Sequence, residues 1–195
     1  MRTRIPSPIY MANVPGRSLR GVRPGDYVAV FYDELADARK AVEPYAIEGL
    51  HRGDYVVLVV SADQVEAWAP LSQRLDEMVR SGEVSGQFAA LFYPPSTAAE
   101  TRRLLSDFLE ELPRSFKGAA ERHVRIVGDL PEPATEPLTC ALRLSCAECS
   151  SLCLFHADTM ARVQSGPFER VSGGHSRTIT LVPRAGPRTR RPGRP

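Results

Sequence analysis

The sequence predicts an α/β three-layer sandwich: a mostly parallel sheet, helices packed on it, and a strand pair closing the C-terminal end. Two observations carry that prediction. Short apolar runs rich in β-branched and aromatic residues recur along the chain, as strands buried on both faces require. Amphipathic stretches of helical period separate them, which is the pattern of repeated strand–helix–strand units. The absence of any apolar run near ~20 residues excludes a membrane-spanning helix from the expectation.

The first unit is Tyr27–Val60. Tyr27–Tyr32 reads as a buried strand. Asp33, Glu34 and Asp37 follow, where carboxylates complement the dipole of a starting helix. Leu35, Ala38, Val42, Tyr45 and Ala46 give that helix one apolar face, and Gly49 and Gly53 bracket its exit. Tyr55–Val60 is the second strand. The turn after the first strand, Phe31-Tyr32-Asp33-Glu34-Leu35, has no glycine and no lysine. A phosphate-cradling loop needs both, so this turn argues against phosphate binding.

Asp63 is placed to cap a helix running to about Ser81, with Val65, Trp68, Leu71, Leu75, Met78 and Val79 inward. Pro70 should kink it or delay its start. Gln87–Phe92 is the third strand. Ser96 or Thr97 caps a long helix to about Phe116. His123–Val127 is the fourth strand, and Gly128-Asp129 turns out of it. Leu138–Glu148 reads as a short helix, Ser151–Phe155 as the fifth strand, and Asp158–Val163 as another short helix. Phe168–Val171 and Thr178–Val182 form the closing pair, with Gly173-Gly174 at the turn.

The ordered set VAVFYD, EGLHRGDYVVLVV, HVRIVGD and SLCLF followed by GPF resembles the MEDS sensory domain family, named for methanogens, methylotrophs and the DcmR regulator. The resemblance runs from about Asp26 to Val182. It implies a RecA/KaiC-like sheet that has lost its phosphate loop, and a non-catalytic sensory role in bacterial and archaeal signal transduction. It implies a partner in trans, such as a histidine kinase or a transcription regulator. Family members typically carry a histidine at the start of the first strand and often a cysteine within it. Those positions read Tyr27 and Ala29 here. Matching positions include Phe31, Tyr32, Glu48, Gly49, Gly53, Arg125, Gly128, Asp129 and Cys153.

Charge is segregated within this frame. Of 25 basic residues, five arginines lie in residues 1–25 and five in 184–195, without an acid in either stretch, which leaves 15 basic against 23 acidic residues between them. Residues 1–25 and 184–195 are therefore expected to be disordered basic arms around one domain, 26–183. Such arms either contact nucleic acid or another anionic partner, or remain solvated. The arginine- and proline-rich start lacks the apolar core of a secretory signal, so the expected compartment is the cytoplasm.

Open α/β sheets bind ligands beyond the carboxyl ends of their strands. With the family positions added, the expected ligand-contacting set is Tyr27, Tyr32, Asp33, Ser61, Tyr93, Arg125, Asp129 and His156. Asp33 and Asp63 have a plainer reading as helix caps. A second cluster is Cys140, Cys146, Cys149 and Cys153, with His156 just beyond. Cys146, Cys149, Cys153 and His156 have ligand types suited to zinc or an iron–sulfur cluster. Packing and a reversible disulfide compete with that reading, and no cofactor is expected overall. No serine stands in a nucleophile elbow, so a hydrolase is not indicated. Self-association into a homo-oligomer is compatible with the sequence.

Overall fold

The computed structural model describes residue 19, residues 21–93, 103, 107 and 111, and residues 122–129, 149–156 and 177–181. It is an α/β fold built on a parallel sheet. The strands are β1 (Tyr27–Tyr32), β2 (Tyr55–Ser61), β3 (Gln87–Tyr93), β4 (Val124–Asp129), β5 (Cys149–His156) and β6 (Arg177–Leu181). The helices are α1 (Leu35–Arg52) and α2 (Val65–Arg80), with a 3-10 turn over Ala62–Gln64 leading into α2.

The order across the sheet is β3-β2-β4-β5-β1-β6. From β1 the chain crosses to β2 and then β3, moving one way. From β3 it returns through β4 and β5 and jumps past β1 to β6, moving the other way. Right-handed crossovers place α1 and α2 on the same face, and one core cluster joins them to that face. Val28, Val30, Tyr32, Val56, Leu58, Val60, Val127, Leu152 and Leu154 pack there against Ala38, Val42, Tyr45, Leu50, Trp68 and Leu75. On the opposite face Ala29, Phe31, Cys153 and Phe155 are also buried. Phe31 and Phe155 stack with centroids 5.2 Å apart. Burial on both faces is why these strands read as continuous apolar runs and not as alternating ones.

Several expectations meet a different geometry. The core reaches back into the N-terminal arm, because Leu19 and Val22 are buried in it. A hydrogen bond from the Gly25 amide to the Cys149 carbonyl ties that segment to β5. Asp63 does not cap α2. It lies inside the 3-10 turn, and α2 starts after Gln64 without a side-chain cap. Asp33 is no cap either, since Glu34 precedes α1 and makes no capping bond. Pro70 lies within α2, which starts at Val65 and not after the proline. Thr178–Val182 appears as β6 and adds parallel to β1. Its expected companion Phe168–Val171 lies outside the described residues, as do the short helices at 138–148 and 158–163. Of the expected helix up to Phe116, Arg103, Asp107 and Glu111 are described, and they are helical and exposed.

The exit of α1 shows why glycine is used where it is. Gly53 has φ 84° and its amide bonds to the Leu50 carbonyl, a left-handed helix stop. Gly86, entering β3, sits against backbone. A Cβ there would lie 2.6 Å from Leu50 Cα and 2.7 Å from the Asp54 and Leu50 carbonyl oxygens. Backbone cannot swing aside as a side chain can. Gly86→Ala should therefore cost about 3 kcal/mol, the upper part of the overpacking range. Urea denaturation of the variant checks this, and an unchanged midpoint would refute the close approach.

Candidate functional site

All five strands β1 to β5 run the same way, so their carboxyl ends share one edge. At that edge β1 sends its chain to the α1 face while neighbouring β5 continues toward β6 on the far side of β1. Such a reversal is where open sheets form a crevice. The residues there are Tyr32 ending β1 with Asp33 after it, Ser61 ending β2, Tyr93 ending β3, Asp129 ending β4 and His156 ending β5.

Asp129 is the centre of this edge. It is 4% exposed, and both carboxylate oxygens are occupied by donors from other elements. The Tyr32 hydroxyl donates to Oδ1 at 3.0 Å, reaching across β5. Trp68 Nε1, from the first turns of α2, donates to Oδ2 at 2.8 Å. His156 meets the Tyr32 ring edge-on, with centroids 5.6 Å apart. Gln64 lies in the turn just before α2, with its Oε1 buried. Burial pushes the Asp129 carboxyl above its usual range, Asp63 adds to the rise, and the Trp68 and Tyr32 bonds and His156 work against it. Burial, then the Asp129 charge, likewise raises the Tyr32 phenol. Neither group is a strong anion in wait for a cation. Together they are a desolvated acceptor held by two uncharged donors.

The expected ligand set divides in two. Tyr32, Ser61, Asp129 and His156 converge at the carboxyl edge, with Asp33 exposed beside them. Tyr93 is at the same edge on β3, paired in register with Ser61. Tyr27 and Arg125 do not belong to it. Tyr27 opens β1, five residues and so ~16 Å from Tyr32 along the strand. Arg125 is the second residue of β4, at the amino edge.

There Arg125 anchors a separate buried cluster. Its Nε donates to Asp54 Oδ2 at 2.7 Å, and one terminal nitrogen donates to the Tyr45 carbonyl at 3.1 Å. The guanidinium carbon lies 4.7 Å from the centre of the Tyr45 ring. His123 Nδ1 is 3.5 Å from the same Asp54 oxygen. Tyr45 and Ser150 share a hydroxyl–hydroxyl bond of 2.7 Å. Gly49 leaves room for this arrangement, since a Cβ there would come within 2.6 Å of Arg125 Cδ. Burial alone would raise the Asp54 carboxyl, but bonds from His123 and Arg125 outweigh it and hold the group below its usual range. Arg125 is thus a structural charge, satisfied within the fold.

The described members of the metal set, Cys149, Cys153 and His156, are not brought together. Along a strand, side chains alternate between faces and rise ~3.3 Å per residue. Cys149 and Cys153 share one face but stand ~13 Å apart at that rise. His156 points to the other face, beside Tyr32. No single ion can be bound by these three. Cys149 is disulfide-bonded, so its sulfur is not a thiolate donor, and Cys153 is a buried free thiol beside Phe31 and Phe155. Cys140 and Cys146 lie outside the described residues. Among the described residues no group of three or more histidine, cysteine or acidic side chains could hold a metal.

A different surface feature is an open groove of about 540 Å³ between α1 and α2, lined by Glu43, Pro44, Ile47, Glu48, His51 and Arg74. Its charges are paired: Arg74 with Glu43, and Glu48 with Arg52. Trp68, which the helical spacing placed only as an inward core residue, is the site residue that sequence reasoning missed. A buried indole N–H requires an acceptor, and that requirement was the available signal.

No family model and no curated protein matches the chain. Among the described residues, no helix is long and apolar enough to cross a membrane.

Proposed function

We propose that the chain is a non-catalytic sensory module. It binds a small neutral or cationic molecule at the carboxyl edge of the sheet and passes the change to a separate signalling protein in the cytoplasm. A histidine kinase or a transcription regulator would be such an output. The observation that carries this reading is the convergence of Tyr32, Trp68, Gln64, Asp129 and His156 at a sheet reversal, with Asp33, Glu34 and Asp63 exposed around it. Aromatic faces and carboxylates attract cations and hydrogen-bond donors. The nearest arginine on α1, Arg39, is committed to the Ala67 carbonyl at 2.8 Å. The link from β1 to α1 is Asp33-Glu34, which offers an anion two carboxylates and no glycine. Phosphate chemistry of the nucleotide-hydrolysing kind has no support there.

Thermal shift against small alcohols, amines and nucleoside triphosphates tests the proposal. A ligand at ~100 times its Kd should raise Tm by roughly 5–10 °C, with amines or alcohols active and nucleotides inert. A flat screen favours a ligand-free scaffold on the same fold. Stabilisation by a nucleotide with its hydrolysis would overturn the non-catalytic reading.

A further inference from the structure

β6 runs parallel to β1, so its carboxyl end lies on the same edge as the crevice. Leu181 pairs in register with Tyr32, and Tyr32 with His156. The chain therefore leaves the sheet one strand from Tyr32 and two from His156. The residues that follow, 182–195, include Arg184, Arg188, Arg190, Arg191 and Arg194 and no acid. The edge they leave from has the opposite charge. Asp33 and Glu34 follow β1, Asp63 follows β2, and Glu66 is in the first turn of α2. All four are exposed, and none has a side-chain hydrogen bond or ion pair among the described residues. Arg39, which joins α1 to α2, is committed to the Ala67 carbonyl. That guanidinium and two helix amino ends, worth about half a positive charge each, leave the rim an excess of about two negative charges.

We infer that segment 182–195 is the crevice's own occupant: its arginines dock on the Asp33, Glu34, Asp63 and Glu66 rim and compete with a cation that enters. The reach is sufficient. Arg184 is three residues past Leu181, which spans up to ~10 Å, and Arg188 is seven past it, up to ~24 Å. Asp33 and Glu34 leave the neighbouring strand, and Asp63 follows a strand four spacings away, ~19 Å. The other arginine-rich stretch, residues 1–25, enters β1 at its amino end, a strand length of ~20 Å from this rim.

Exposed ion pairs are individually weak, and a free arginine peptide would hold such a rim poorly. A short tether supplies an effective concentration in the ~millimolar range, so a contact that is millimolar between molecules is about half formed within one. That the docked segment excludes a ligand rests on the sensory reading above; the docking itself does not.

The test is made on the full chain carrying Arg184→Lys and Arg188→Lys, which keep the charge and add amines. A zero-length carbodiimide joins an amine to a carboxylate where the two touch, and peptide mass spectrometry locates the amide. At about 0.01 M salt the introduced amines should couple within one chain to the rim carboxylates, and Asp33→Asn with Glu34→Gln should remove the coupling at those two positions. At about 1 M salt, where the screening length falls to ~3 Å, the coupling should be lost. The second measurement is thermal shift with butylamine. The chain with all five arginines of the segment changed, Arg184→Gln, Arg188→Gln, Arg190→Gln, Arg191→Gln and Arg194→Gln, should respond at a concentration about twofold lower than wild type, since its rim is free. Several results overturn the docking: no coupling to the rim, coupling only between chains, equal coupling to the exposed Glu77 and Glu83 at the far end of α2, or a yield indifferent to salt. Equal butylamine midpoints in the two proteins overturn the competition. Rim coupling with a flat ligand screen leaves the docking standing and removes the sensory reading; a butylamine response without rim coupling does the reverse.

Discussion

Arg125→Met should destabilise the fold by about 3–5 kcal/mol, the range for breaking a buried ion pair by removing one partner. Methionine keeps most of the length and the apolar stem, so packing loss is minor. What remains is Asp54, buried just before β2, with His123 Nδ1 3.5 Å from its carboxylate. The Tyr45 carbonyl also loses its donor. The pH dependence identifies the cause. In wild type the Asp54 carboxyl is held below its unfolded value, chiefly because the His123 and Arg125 bonds overcome burial. Its contribution is therefore present above the unfolded pKa, about 3.9, and is lost as pH falls through the folded value. Without Arg125, burial is opposed by His123 alone among these groups, and the carboxyl moves up from its wild-type position. The variant then recovers relative stability as pH falls. Urea melts at about pH 7 and about pH 4 should show the gap between wild type and variant narrowing in acid. A gap independent of pH would mean that lost packing, and not the stranded carboxylate, is the cost.

The same residues show how far sequence reading reaches. β1, β2 and β4 were legible because a strand buried on both faces has to be an apolar run, and few other structures produce one of that length. The carboxyl-edge set followed from the rule for open parallel sheets, and Tyr32, Ser61, Asp129 and His156 are found where it puts them. The rule could not place Arg125, because an arginine inside VRIVGD says only that a counter-charge is buried nearby. Its partner Asp54 is 71 residues away in sequence, and nothing local marks it. Trp68 was legible as a core residue from its helical spacing, but spacing describes where a ring points and not what its N–H meets. For the cysteines, closeness in sequence and closeness in space differ: on an extended strand, four residues carry a side chain ~13 Å away, so Cys149 and Cys153 are not neighbours in space although they are close in the chain. Asp33 and Asp63 had a simple reading as caps, and neither bonds to a helix amide. Both remain exposed at the mouth of the crevice.

Trp68→Ala is the second large effect, expected at about 3–5 kcal/mol from the cavity left by a fully buried aromatic. Trp68 is 0% exposed and packs between α2 and the α1 face of the sheet. Its removal also takes one of the two donors from Asp129. The two contributions separate with Trp68→Phe, which fills most of the cavity but still lacks the N–H. Loss of that donor should cost about 1–3 kcal/mol, because a buried acceptor is left short of a partner. The sign of the pH effect follows from Asp129, whose folded pKa is raised above the unfolded value by burial. Its ionisation weighs against folding, so stability is greatest below the unfolded pKa and falls as pH rises through the folded one. Removing a donor to the carboxylate steepens that fall. Trp68→Phe should therefore lie closer to wild type at about pH 4 than at about pH 7, when both are unfolded in urea and followed by circular dichroism. Equal differences at the two pH values would show that the indole stabilises only by its volume, and that the Asp129 bond contributes nothing to holding α2 on the sheet.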